Sequence, residues 1–138
     1  LMVVSGAILF VTLVQLVLGT QVRESVDVAK NVLKLPRENW IDTSDLLYVV
    51  HRSFSWLVVI LSAGLLYINY KRNVPSRLMN LGYGIFGLII LQIFLGVGME
   101  HFNIPGTLQL LHLVSVSILI CAEFLFMLIV GFSQKARV

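Results

Sequence analysis

Two histidines, His51 and His112, stand six residues after Asp45 and seven after Pro105, a turn or two inside the leading ends of long apolar segments. Neutral imidazoles that converge in a dry site ligate metal, and helices fix the direction in which each ring nitrogen points. Two histidines are too few for a closed structural zinc site, and no Cys, Asp or Glu lies near them at ligand spacing. A porphyrin brings four ligands of its own, so the pair reads as two axial ligands of a haem iron. The alternative is two packed polar residues bonded to neighbouring carbonyls, although ionisable residues inside a membrane are usually functional.

A flat macrocycle needs space and counter-charge. Gly19 and Gly96 lie near the ends of the first and third apolar segments, at the level of the histidines, and remove side chains where its plane would pass. Close helix packing is the other common use of such glycines. Arg52 directly follows His51 and Arg23 closes the first segment on the same side, so both are candidates for carboxylates such as haem propionates. Otherwise Arg23 marks the membrane interface and Arg52 snorkels towards it. Glu123, eleven residues after His112, shares that histidine's helical face and lies about 16 Å deeper. That distance favours a neutral acid bonded to a neighbouring helix over a proton-handling group. His101, beside Glu100, reads as a solvated loop residue, with a place at the haem edge as the alternative.

The elements that position these residues follow from composition. Hydrophobic residues make up 58% of the chain and charged residues 12%, far from a soluble mix. Four stretches, 1–20, 46–70, 78–99 and 107–132, are long enough to cross a hydrocarbon core of about 30 Å. In lipid the backbone must satisfy itself, and continuous apolarity without alternation argues against barrel strands. The expected fold is therefore an all-α membrane protein, one domain over residues 1–138 with four transmembrane helices and an outer loop over 21–45. A secretory signal peptide would be shorter, with a basic start and a cleavage site, which residues 1–20 lack. The chain opens inside an apolar run without an initiator methionine, so it reads as a piece of a longer protein.

Orientation comes from the loops. Lys71, Arg72 and Arg77 lie between the second and third segments with no acidic residue, and the tail carries Lys135 and Arg137. These ends belong in the cytoplasm or the mitochondrial matrix. The first connection holds four basic residues against five acidic ones and belongs outside, with the histidines. The net charge of +3 is thus a topology signal, and no nucleic-acid partner is implied. Within that outer connection Val26, Ala29, Val32 and Leu33 recur at helical spacing. They suggest a short interfacial helix ended by Pro36 and anchored by Trp40, or else an ordered loop. Cys121 is the single cysteine and can form no disulfide within the chain.

A weak repeat relates the two halves. Leu13-Val-Gln15-Leu-Val-Leu-Gly19 matches Ile90-Leu-Gln92-Ile-Phe-Leu-Gly96, and each is followed by a segment bearing a histidine near its start. The bundle is expected to consist of two pseudo-symmetric helix pairs related by an axis along the membrane normal. Counting places both histidines about 9–10 Å along their helices, a common depth at which the two imidazoles could face each other.

The pattern Gln15 to Gly19 and Arg23, then His51-Arg52, then Leu91-Gln92-Ile-Phe-Leu-Gly96, then Pro105 and Leu111-His112-Leu, resembles the haem A synthase family of cytochrome oxidase assembly proteins over nearly the whole chain. The resemblance implies two similar four-helix halves, one receiving haem O and the other holding haem b. It also implies the oxidation of a methyl group of haem O to the formyl of haem A. The substrate half carries a glutamate three residues before its first histidine and often a cysteine pair in its first outer loop. Here that position is Tyr48, and the cysteines are missing. The chain therefore looks like the C-terminal half, with His51 and His112 as axial ligands of a low-spin haem b, no catalytic residue of its own, and Arg23 and Arg52 for the propionates. The implied setting is the bacterial plasma membrane or the mitochondrial inner membrane. Membrane lipid, haem O through the other half, haem O synthase, oxidase assembly factors and a homo-oligomer are the candidate partners. Two other classes stay open: a bis-histidine membrane cytochrome b for electron transfer, and a non-haem assembly or scaffold protein.

Overall fold

The computed structural model describes residues 1–41 and 45–135. Asp42 and Arg137, two of the charges counted for orientation, lie outside the described residues. The described chain holds four long α-helices, α1 (Met2–Asn31), α2 (Asp45–Lys71), α3 (Ser76–His101) and α4 (Gly106–Lys135), with a short 3-10 helix at Arg37–Asn39 and no strand. Each long helix is long and apolar enough to cross a membrane, so the protein is a multi-pass membrane protein. The three prolines, Pro36, Pro75 and Pro105, each stand immediately before a helical segment, where a missing N–H costs nothing. None interrupts a span.

α1 packs on α2 and α4, and α3 packs on α4 and α2, closing a ring of four. The apolar core comprises Ile8 of α1, Val58 and Leu65 of α2, Leu78, Ile85 and Ile89 of α3, and Leu119, Phe126 and Val130 of α4. It fills the end of the bundle away from the histidines. There Gly82 of α3 lets the neighbouring helices close in: a Cβ on it would meet Asn69 Nδ2 and Leu66 Cδ2 at 3.1 Å and Phe126 Cε2 at 3.8 Å.

α1 does not stop near Thr20. It runs to Asn31, so the stretch with Val26 and Ala29 continues the first helix and is neither a separate interfacial helix nor part of a loop. No glycine or proline breaks the chain between Thr20 and Asn31, and Val26 and Ala29 are buried, which rewards continuation. A helix of this length spans about 45 Å, so its last turns project beyond the hydrocarbon, and there Arg23, Glu24, Asp27 and Lys30 are exposed. Pro36 opens the 3-10 turn; it does not end the helix. Trp40 donates through Nε1 to the Leu35 carbonyl at 3.1 Å and lies under the Lys30 ammonium and the Arg37 guanidinium.

Arg37 ties this outer connection to the α3–α4 turn. Its Nε donates to the Asn103 carbonyl at 2.6 Å and its Nη2 to the Ile104 carbonyl at 2.9 Å. Asn103 and Ile104 both have a φ of 55°, a left-handed conformation that a β-branched residue rarely takes. Ile104 is nevertheless buried, and Gln109 adds a second bond to its carbonyl at 3.1 Å. Burial and three donated hydrogen bonds hold the strained turn from which α4 starts.

Candidate haem-ligand site

His51 and His112 each lie six residues past the first residue of their helices, Asp45 of α2 and Gly106 of α4, about 9 Å in. The first buried apolar core residues inward of them are Val58 and Leu119, each seven residues further on. The histidines therefore occupy equivalent depths, just outward of the packed core. Each ring has a buried Nδ1 without a hydrogen-bond partner. A buried polar atom is normally satisfied, so two orphans at symmetry-related positions need an explanation.

The repeat has a structural counterpart. Gln15 of α1 donates through Nε2 to the His51 carbonyl at 2.7 Å, and Gln92 of α3 donates to the His112 carbonyl at 3.1 Å. Each amide grips the backbone of the histidine on the next helix of its own pair. Gln92 also donates to Ser115 Oγ at 2.6 Å, a contact its counterpart lacks because Phe54 stands at the matching place. The two glutamines were visible in the repeat, but their role was not. A polar side chain at matching positions in two apolar runs was the available signal.

The two glycines differ. A Cβ on Gly19 would meet His51 Cε1 at 3.1 Å, so its bare backbone gives room to the imidazole itself. A Cβ on Gly96 would meet nothing within 4 Å. The arginines lie at the same end of the bundle and both are exposed. Arg23 pairs with Asp27 of its own helix at 3.7 Å, and Arg52 pairs with Glu100 of α3 at 3.4 Å. Tyr48 stands one turn before Arg52, near the same Glu100 carboxylate. His101 is the exposed last residue of α3, with Nδ1 3.1 Å from the Val97 carbonyl.

Glu123 is separate from this constellation. It is buried at the core end and accepts a hydrogen bond on Oε1 from Thr12 of α1 at 2.9 Å, while its Oε2 has no partner. It thus bonds to a neighbouring helix. Among the described residues no group of three or more His, Cys, Asp or Glu could hold a bare metal ion. Two imidazoles at equal depth, each with a buried unsatisfied nitrogen, open space at Gly96 and arginines at the polar end fit a porphyrin, which supplies the remaining iron ligands itself.

A closed ring of four membrane-spanning helices, built from two glutamine-braced pairs with one inward histidine each, defines the class to which this chain can be compared. The chain belongs to the cytochrome oxidase assembly protein family, COX15-CtaA, whose pattern it matches over residues 1–124. No curated protein and no solved structure matches it.

Proposed function

We propose that this chain is the haem b-bearing domain of a haem A synthase, the oxidoreductase that converts a methyl group of haem O to the formyl of haem A while cytochrome oxidase is assembled. The observation that carries the reading is the symmetric pair of imidazoles, each with an orphaned buried nitrogen and each braced through its carbonyl by a repeat-related glutamine. Membership of the oxidase assembly family supports it.

His51 and His112 would hold the iron from two sides, Gly96 would leave room for the ring, and Arg23 and Arg52 would meet its propionates at the outer surface. Bound there, haem b supplies reversible one-electron chemistry. The chain's residues contribute orientation and exclusion of water. Tyr48 stands where the resemblance places the substrate half's glutamate, so methyl oxidation is assigned to another four-helix half. That half would take haem O, with haem O synthase, other assembly factors and a second copy of the chain as partners. The setting is a bacterial plasma membrane or mitochondrial inner membrane, with the site facing outwards. The same tyrosine favours a second reading, a plain electron-transfer cytochrome b. A companion half carrying Glu three residues before a membrane histidine decides for the synthase.

The test is an absorption spectrum of protein purified after expression with haem supplied. A low-spin spectrum that His51→Ala and His112→Ala each abolish or convert is expected. Absence of a haem band, or unchanged spectra in both variants, overturns the assignment.

A further inference from the structure

Of the charged cluster at the mouth between α2 and α3, the haem reading uses Arg52 and leaves its partner Glu100 without a role. Arg52 follows His51 directly, Tyr48 lies one turn before it on the same face, and Glu100 comes from the last turn of α3. The Arg52 Nη1 is 3.4 Å from Glu100 Oε1 and 3.5 Å from Oε2, so both carboxylate oxygens share one guanidinium nitrogen. The Arg52 side chain is 60% exposed and that of Glu100 34% exposed.

The repeat makes this carboxylate conspicuous. Gln15, Gly19 and Arg23 on α1 correspond to Gln92, Gly96 and Glu100 on α3 at identical spacing, so the place that holds a cation in one half holds an anion in the other. Along the same alignment Arg52, after His51, corresponds to Leu113, after His112. The repeat thus matches the Arg52–Glu100 pair with Leu113 and Arg23, and Arg23 finds its acidic partner, Asp27, on its own helix. The α2–α3 mouth offers Arg52 already neutralised across the helix gap by Glu100.

We propose that Glu100 is a specificity-determining competitor at this mouth. It presents to Arg52 the same group, a carboxylate, that an amphipathic ligand ligated by His51 would present from its polar edge. A ligand carboxylate at Arg52 must either replace Glu100 or lie beside it against like-charge repulsion. Only a ligand that brings its own carboxylate gains when Glu100 is neutralised, since Arg52 is then released to pair with it. The proposal rests on the haem reading of the histidine pair, and its test separates the two.

The full chain in detergent, depleted of haem, is titrated spectroscopically with iron protoporphyrin IX and, in parallel, with its dimethyl ester. Glu100→Gln and Glu100→Ala should each bind the free acid about two- to fivefold more tightly than the unchanged chain, as befits a part-exposed ion pair. The gain should be absent with the ester, shrink as salt is raised, and vanish when Arg52→Gln is also present. Unchanged or weaker binding by both Glu100 variants overturns the proposal, as does a gain that persists with the ester or without Arg52. If the unchanged chain binds neither porphyrin with a low-spin spectrum, the ligand site itself fails. If it binds both and the Glu100 variants give no gain, only the competitor role fails.

Discussion

A histidine becomes a directed ligand when its backbone and ring are both constrained. For His51 the carbonyl is gripped by Gln15 and the ring rests on the bare backbone of Gly19. Adding a methyl group there forces the imidazole to give by a few tenths of an ångström, because the new Cβ would lie 3.1 Å from Cε1. Gly19→Ala is therefore expected to lower haem retention and alter the low-spin spectrum, with overpacking costing about 1–3 kcal/mol. Gly96→Ala, whose Cβ meets nothing within 4 Å, should behave more nearly like the unchanged protein. Both substitutions gain the same helix propensity, about 1 kcal/mol, so their difference isolates the ring contact. Haem content after purification of the two variants is the measurement, and equal loss in both would contradict the asymmetry.

Helices in lipid gain little from apolar contact alone, since the surrounding chains are equally apolar, so hydrogen bonds between helices carry specificity. The described interhelical bonds run α1 to α2 through Gln15, α3 to α4 through Gln92, α1 to α4 from Thr12 to Glu123, and α2 to α3 from the exposed Arg52 to Glu100. The first two brace each pair internally, at the level of the histidines. Gln15→Ala and Gln92→Ala should each destabilise the bundle by about 0.5–1.5 kcal/mol, the range found for such bonds in membrane proteins. Gln92→Ala should cost the more, because it also removes the bond that Ser115 Oγ accepts and leaves that hydroxyl only its donation to carbonyls of its own helix. The two sites share no partner, so the double variant should show a nearly additive loss in a detergent-unfolding titration. A double loss far from the sum would mean the pairs are not independent units.

At the scale of the molecule, the packed apolar core lies at one end and the histidines, glycines and charged mouths at the other. This polarity gives the bundle one end packed with apolar side chains and another built around polar groups. The basic α2–α3 connection implies that the core end faces the cytoplasm or matrix. With Cys121 replaced by serine, Ser76→Cys should react with an impermeant maleimide only in inverted vesicles, and Glu38→Cys only from the outer side. The reverse pattern would invert the proposed placement of the site.

The amino-acid sequence alone determined the number of spans, the equivalence of His51 and His112 and the pairing of the helices. Apolar length, internal repetition and residue counting along a helix are one-dimensional quantities. It left α1 too short, because the charges after Thr20 signal the end of the hydrocarbon and carry no information on where helix ends. Val26 and Ala29 extend the helix through burial, which depends on what stands opposite. Only the tertiary structure decided that Gly19 seats the His51 ring, that Gln15 and Gln92 hold the histidine carbonyls, that Arg37 secures the strained start of α4, and that Arg52 meets Glu100. Each of these joins residues far apart in the chain, and their partners are set by how the helices rotate and approach, which the apolar pattern of a membrane segment, with greasy residues on every face, leaves free.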